Sequence, residues 1–142
     1  MMKKLIFIFL LFSALVFGQN QIPAEIKTFN YPEGKNSKSM MNKTDWFIAF
    51  IPMLNVEISN SVKANDGFVF TALQPTENDN EFISSDITYQ FSEKSYSVSV
   101  QNFRLINSTT KENRPLNSSK ESDLLEIVRG TFFDYWQEVL TE

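Results

Sequence analysis

Residues 87–105 read ITYQFSEKSYSVSVQNFRL, and two strands are visible in them. Ile87, Tyr89 and Phe91 alternate with Thr88, Gln90 and Ser92. SEKS turns the chain, and Tyr96, Val98 and Val100 then alternate with Ser97, Ser99 and Gln101. Strict period-two alternation puts one face in the core and the other in water, the mark of a half-buried antiparallel pair. The apolar phase then slips, from Val100 to Phe103 and Leu105. A single extra residue flips every later side chain, so a β-bulge is expected near Gln101 or Asn102.

The flanking segments extend this pair. VEISNSV, KANDG and FVFTAL form a second hairpin, with Val56, Ile58 and Val62 inward and Asp66-Gly67 as its turn. QPTENDNEFISS reads as an irregular acidic loop. EIKTFNY, residues 25–31, is a first strand closed by Pro32 and Gly34. Cap-forming Asn36, Ser37 and Ser39 then precede a helix over residues 40–51. Met40, Phe47, Ile51 and Leu54 mark its inner face, Trp46 and Phe50 lie beside it, and Pro52 ends or kinks it. Residues 107–118 form a polar loop, and Ser118 with Glu121 has capping-box spacing. An amphipathic helix over residues 120–140 carries Leu125, Val128, Phe132, Tyr135 or Trp136, and Val139 on one face. Gly130 interrupts it, which implies a kink or a close approach to the sheet. The expected fold is therefore α+β. It is a two-layer sandwich in the order β-α-β-β-β-β-α, with an antiparallel sheet of about five strands covered on one face by two helices.

The first residues read MMKKLIFIFLLFSALVFGQNQ. A positive start, a short apolar run and small residues at a cut site form the secretory pattern. Cleavage is expected between Gly18 and Gln19, giving a signal peptide over 1–18 and a single domain over 19–142. The apolar run is short for a bilayer core of about 30 Å. The other reading, a retained anchor or core helix, sits poorly with the polar residues that follow at once. The chain has no cysteine, so lipidation at the cut is closed and no stable membrane anchor is expected afterwards. The expected location is secreted or periplasmic.

With neither cysteine nor histidine, the chain has no disulfide, thiol nucleophile, thiolate zinc site or Ser-His-Asp triad. Loss of Lys3 and Lys4 leaves 11 basic against 17 acidic side chains. Such a balance disfavours nucleic acid, whose phosphates call for clustered Lys and Arg. No cofactor is expected. Glu77, Asp79 and Glu81 read as a solvated acidic loop rather than a calcium site. Paired carboxylates could in principle hydrolyse glycosides, but none sits in a recognisable setting. The uncharged sheet face of Thr88, Gln90, Ser97, Ser99 and Gln101 is the candidate binding surface, suited to a protein or a glycan.

Three features carry a resemblance. They are an aromatic pair on the first helix (Trp46-Phe47), a Gly-centred hairpin (Asp66-Gly67-Phe68) and a late strand ending Asn102-Phe103-Arg104. Over roughly residues 25–141 the chain resembles an exported bacterial family of unknown function, with a fold like one repeat of the TATA-box-binding protein. The resemblance implies a fold and no activity. Together these observations point to a non-enzymatic binding or protein-interaction module of the bacterial envelope. The alternative is a carrier of a small apolar ligand held between the sheet and the C-terminal helix.

Expression in a secreting host tests the address. Intact mass spectrometry of the exported chain is expected to show Gln19 as the first residue. A mass that retains residues 1–18 overturns this reading.

Overall fold

The computed structural model describes residues 22–117 and 120–141, the last by its backbone alone. The proposed signal peptide and its Gly18–Gln19 cut lie outside the described residues. So does Ser118 of the proposed capping box.

Strand β1 (Glu25–Asn30) leads into helix α1 (Ser37–Phe50) and a 3₁₀ turn (Ile51–Leu54). Four long strands follow: β2 (Glu57–Ala64), β3 (Gly67–Pro75), β4 (Glu81–Phe91) and β5 (Ser95–Asn107). A short β6 (Asn113–Pro115) precedes the C-terminal helix, which is built from α2 (Leu125–Arg129), a π-helical stretch (Gly130–Tyr135) and α3 (Trp136–Thr141). All strand pairs are antiparallel, in the order β1-β5-β4-β3-β2. Strand β5 is long enough to hold β1 along residues 95–100 and β6 along 104–106 on the same edge. The α+β two-layer sandwich expected from the sequence is therefore the observed fold, with β6 added where a loop was expected.

Local chemistry sets the boundaries. Asn36 caps α1: its side chain accepts from the Ser39 amide, and the Ser39 hydroxyl accepts from the Asn36 amide, at 2.9 Å each. Helix α1 ends at Phe50, and Pro52 sits at the start of the 3₁₀ turn that follows. Asparagine does work usually given to glycine. Asn55, Asn60, Asn80 and Asn102 all hold positive φ, a region that asparagine tolerates better than most residues.

The bulge expected in β5 is present. Ser84 pairs with Arg104 and Asp86 with Gln101, so β5 takes three steps where β4 takes two. Asn102, at φ 61°, is the extra residue, and Phe103 and Leu105 return to the core beyond it. A second bulge was not foreseen. Ser59 pairs with Thr71 and Val62 with Val69, and Asn60 takes φ 53° between them. This turns Val62 outward, to 61% exposure, although alternation had put it inward.

Other expectations need correction. The acidic loop is shorter than read, because residues 81–85 are already β4. The alternation there is hidden by Ser85, which is polar yet fully buried. Leu54 is exposed rather than core. Gly67 is not in the left-handed region. A Cβ there would stand 2.2 Å from the Tyr89 carbonyl oxygen, so glycine is needed for close approach. Gly130 has open space around it, which removes the close-packing reading. Instead the helix widens into a π turn there, and the neighbours Phe132 and Phe133 both bury. Glu121 binds Arg114 at 2.6 and 2.8 Å and accepts from the Asn117 amide.

The core lies between the helices and one sheet face. Phe47 of α1 meets Trp136 at 4.8 Å between ring centroids, and Trp136 meets Tyr89 of β4 at 5.3 Å. Arg129 reaches Glu25 of β1 with a 2.8 Å Nε bond, and this bond chiefly holds the Glu25 carboxyl below its usual range.

The two glycines should respond oppositely to alanine. Gly130→Ala is expected to raise stability by about 0.4–1 kcal/mol, since its helical backbone suits alanine. Gly67→Ala should lower it by about 1–3 kcal/mol or more through overpacking. Thermal melts of both variants decide the matter, and a stabilised Gly67→Ala would contradict the close approach.

Candidate functional site

Among the described residues, no helix covers the second sheet face. Register places the candidate residues on it directly. Ser97 pairs with Gln90, Ser99 with Thr88, and Gln101 with Asp86. The row through Thr88 continues in both directions, to Ile26 of β1 and to Val69 and Val62 beyond. All five candidate side chains therefore share one surface, as alternation implied. Gln90 and Gln101 are exposed, and Thr88, Ser97 and Ser99 are half-buried among their neighbours. None of the five makes a side-chain hydrogen bond to another described residue.

Sequence reasoning missed part of this surface. Asp86, Thr71, Ser84 and Arg104 belong to it by register. Asp86 is half-buried and held from two sides, by the Thr71 hydroxyl at 2.8 Å and the Asn102 amide at 2.9 Å. The bulge thus turns Asn102 toward a carboxylate on the neighbouring strand. Asp86 was legible in principle, because it lies two residues before Thr88 and in phase with it. The apolar alternation is plain only from Ile87 onward, which leaves Asp86 just outside it. Arg104 is occupied by Asn113, at 2.6 Å to the side chain and 3.1 Å to the backbone carbonyl.

Ile26, Val69 and Val62 are 66%, 47% and 61% exposed. The face is therefore a row of hydroxyls and amides with aliphatic side chains at both ends. No aromatic ring lies in the two rows built on Thr88 and Gln90. Such a surface can exchange hydrogen bonds and bury modest apolar area. The Asp86 carboxylate on it is already engaged by the Thr71 hydroxyl and the Asn102 amide.

The remaining candidates resolve differently. Glu81 does not pool with Glu77 and Asp79, because its carboxylate accepts from Thr76 at 2.9 Å and Asn78 at 3.1 Å. Among the described residues, no group of three acidic side chains is placed to hold a metal ion. Phe70, Tyr89, Val98 and Phe132, the side chains that would line an apolar cavity, are all buried. Phe70 packs on Phe132 at 5.8 Å and on Tyr89 at 6.0 Å. The Tyr89 hydroxyl is buried without a hydrogen-bond partner among the described residues. The chain matches no family model, no curated protein and no solved structure.

Burial pushes the Tyr89 phenol well above its usual value and lifts Tyr96 to about 12. Folded phenols then keep protons that the unfolded chain releases. Their contribution is full below about pH 10 and is lost as pH rises through the folded values. Tyr89→Phe deletes the unpartnered hydroxyl. It should gain about 1 kcal/mol and move alkaline unfolding to higher pH. Circular dichroism across pH 9–13 would expose the opposite result, a variant that unfolds earlier.

Proposed function

We propose that the chain is an exported, non-enzymatic protein-interaction module of the bacterial cell envelope, and that its partner binds the open sheet face. The observation that carries this reading is the set of five polar side chains without partners among the described residues, flanked by exposed aliphatics in the same row. Buried polar groups cost stability unless satisfied, so hydrogen-bonding capacity left on a flat face suits a second molecule. Size supports a protein. Eleven-residue β4 is about 36 Å long and five strands span about 19 Å. That footprint is of the order of 700 Å², near the roughly 800 Å² per partner of a standard interface. A glycan on this face would lack an aromatic platform beside Thr88 and Gln90.

Charge supports the exclusion of nucleic acid. In the four rows paired through residues 97–104, the face carries Arg104 against Asp86 and Glu57. The carrier alternative is weakened by the mutual packing of Phe70, Tyr89 and Phe132. Kinship with the exported family having a TATA-box-binding-protein-like fold rests on motifs that also have structural roles. Phe47 fills the core, Gly67 permits close approach, and Asn102 makes the bulge.

A photoreactive residue at Thr88 should crosslink one discrete envelope protein, and the same group at Glu126 on α2 should not. Gln90→Lys with Ser97→Lys is expected to abolish the crosslink without moving the melting midpoint. Equal crosslinking from both positions, or persistence in the double variant, would remove this face from consideration.

A further inference from the structure

The chain has two tryptophans, and they differ sharply. Trp136 is fully buried, whereas Trp46 on α1 is 54% exposed. Trp46 is not loose: it stacks on Phe50 at 5.0 Å between centroids and 7° between planes. One face of the indole is thereby backed by a ring. A platform already fixed in place loses little conformational freedom on binding.

The indole borders an open depression of about 650 Å³, lined by Ser39, Asn42, Lys43, Trp46 and Val139. Positions 39, 42, 43 and 46 follow helical spacing, so α1 presents them as one stripe. Val139 of α3 is almost fully buried and forms an apolar floor. Asn42 and Lys43 make no side-chain hydrogen bond or ion pair to another described residue. The carboxamide keeps two donors and an acceptor, and the ammonium keeps three donors. Among the described residues, no carboxylate lines the depression.

We propose that this depression binds an acidic saccharide, with a pyranose ring on Trp46 and its carboxylate on Lys43. The stacked indole suits the C–H face of a sugar, which is flat and weakly apolar. Asn42 suits ring hydroxyls, because it both donates and accepts. Lys43 is a cation without a partner among the described residues, on a chain of net charge −4, and it gives the site its preference for an anion. The rim is polar and open, which ill suits an acyl chain that needs dry enclosure. The site lies on the helical layer, opposite the sheet face, so it stands or falls independently of the interaction proposed there.

Two-dimensional NMR of the exported chain separates the two indole N–H signals. Hexamers of galacturonate and hyaluronan, as acidic probes, are expected to shift the Trp46 signal and leave Trp136 unmoved. Maltohexaose, as a neutral probe, should bind more weakly. Trp46→Ala should weaken acidic binding by about tenfold or more with an unchanged melting midpoint. Asn42→Ala, an exposed change, should weaken both probe classes. Lys43→Gln should erase the preference for acidic over neutral. Failure of both acidic hexamers to shift Trp46, binding that survives Trp46→Ala, or a preference that survives Lys43→Gln overturns the proposal. A shift caused only by phosphatidylglycerol vesicles overturns it in favour of a membrane contact.

Discussion

The indole of Trp136 ties the two layers together. It meets Phe47 of α1 and Tyr89 of β4, so a single side chain touches both helical segments and the sheet. A chain without cysteine has no covalent staple, and apolar burial must supply what a disulfide would. The aromatic rings gather in sets. One centres on Trp136, and in another Tyr96 meets Phe29 at 5.3 Å, Tyr31 at 5.8 Å and Phe91 at 5.6 Å, which ties β1 to β4 and β5. Placing α1 and the C-terminal helix on one sheet face leaves the other face bare of the described helices. The bare face is thus a consequence of where the rings are, as well as of the polar residues on it.

The two bulges explain what was legible. Near Asn102 the residues on both sides of the slip include buried aromatics and aliphatics, so Val100, Phe103 and Leu105 record the change of phase. Near Asn60 the strand is mostly exposed, so no apolar residue was obliged to mark the slip. Val62 then imitates a core position while facing water. The start of β4 was hidden for a related reason. Ser85 occupies a buried position opposite Ala72, and Gln74 is buried two residues along β3. Gln74 is tolerated there because its side-chain amide reaches Thr131 at 2.9 Å and the Ile127 carbonyl at 3.3 Å. That compensation comes from a helix more than fifty residues away in sequence, and no local pattern reports it.

The candidate surface was readable to the extent that alternation is readable. Thr88, Gln90, Ser97, Ser99 and Gln101 follow from period two alone. Asp86 needed a correct strand start, and Thr71 needed the pairing of β3 with β4. Trp46 shows the opposite limit. Its helical position is plain from the sequence, but whether an aromatic beside the inner stripe is buried depends on how far the neighbouring helix extends over it. Val139 reaches that far and leaves the indole half uncovered.

The order of strands also governs how the molecule can assemble. Strands β2 to β5 are each paired with the next in sequence, so their hairpins close over short loops. Strand β1 is the exception. Its partner is β5, and its ion pair to Arg129 spans 104 residues. Closing a longer loop costs more chain entropy and is tied to slower folding. The meander is therefore the scaffold, and β1 is the element that must wait for it. In a chain that leaves the ribosome from its N-terminus, β1 is made before β2 to β5 yet cannot find its neighbour until β5 has emerged. Completion of the sheet is deferred further, until β6 at residues 113–115 follows.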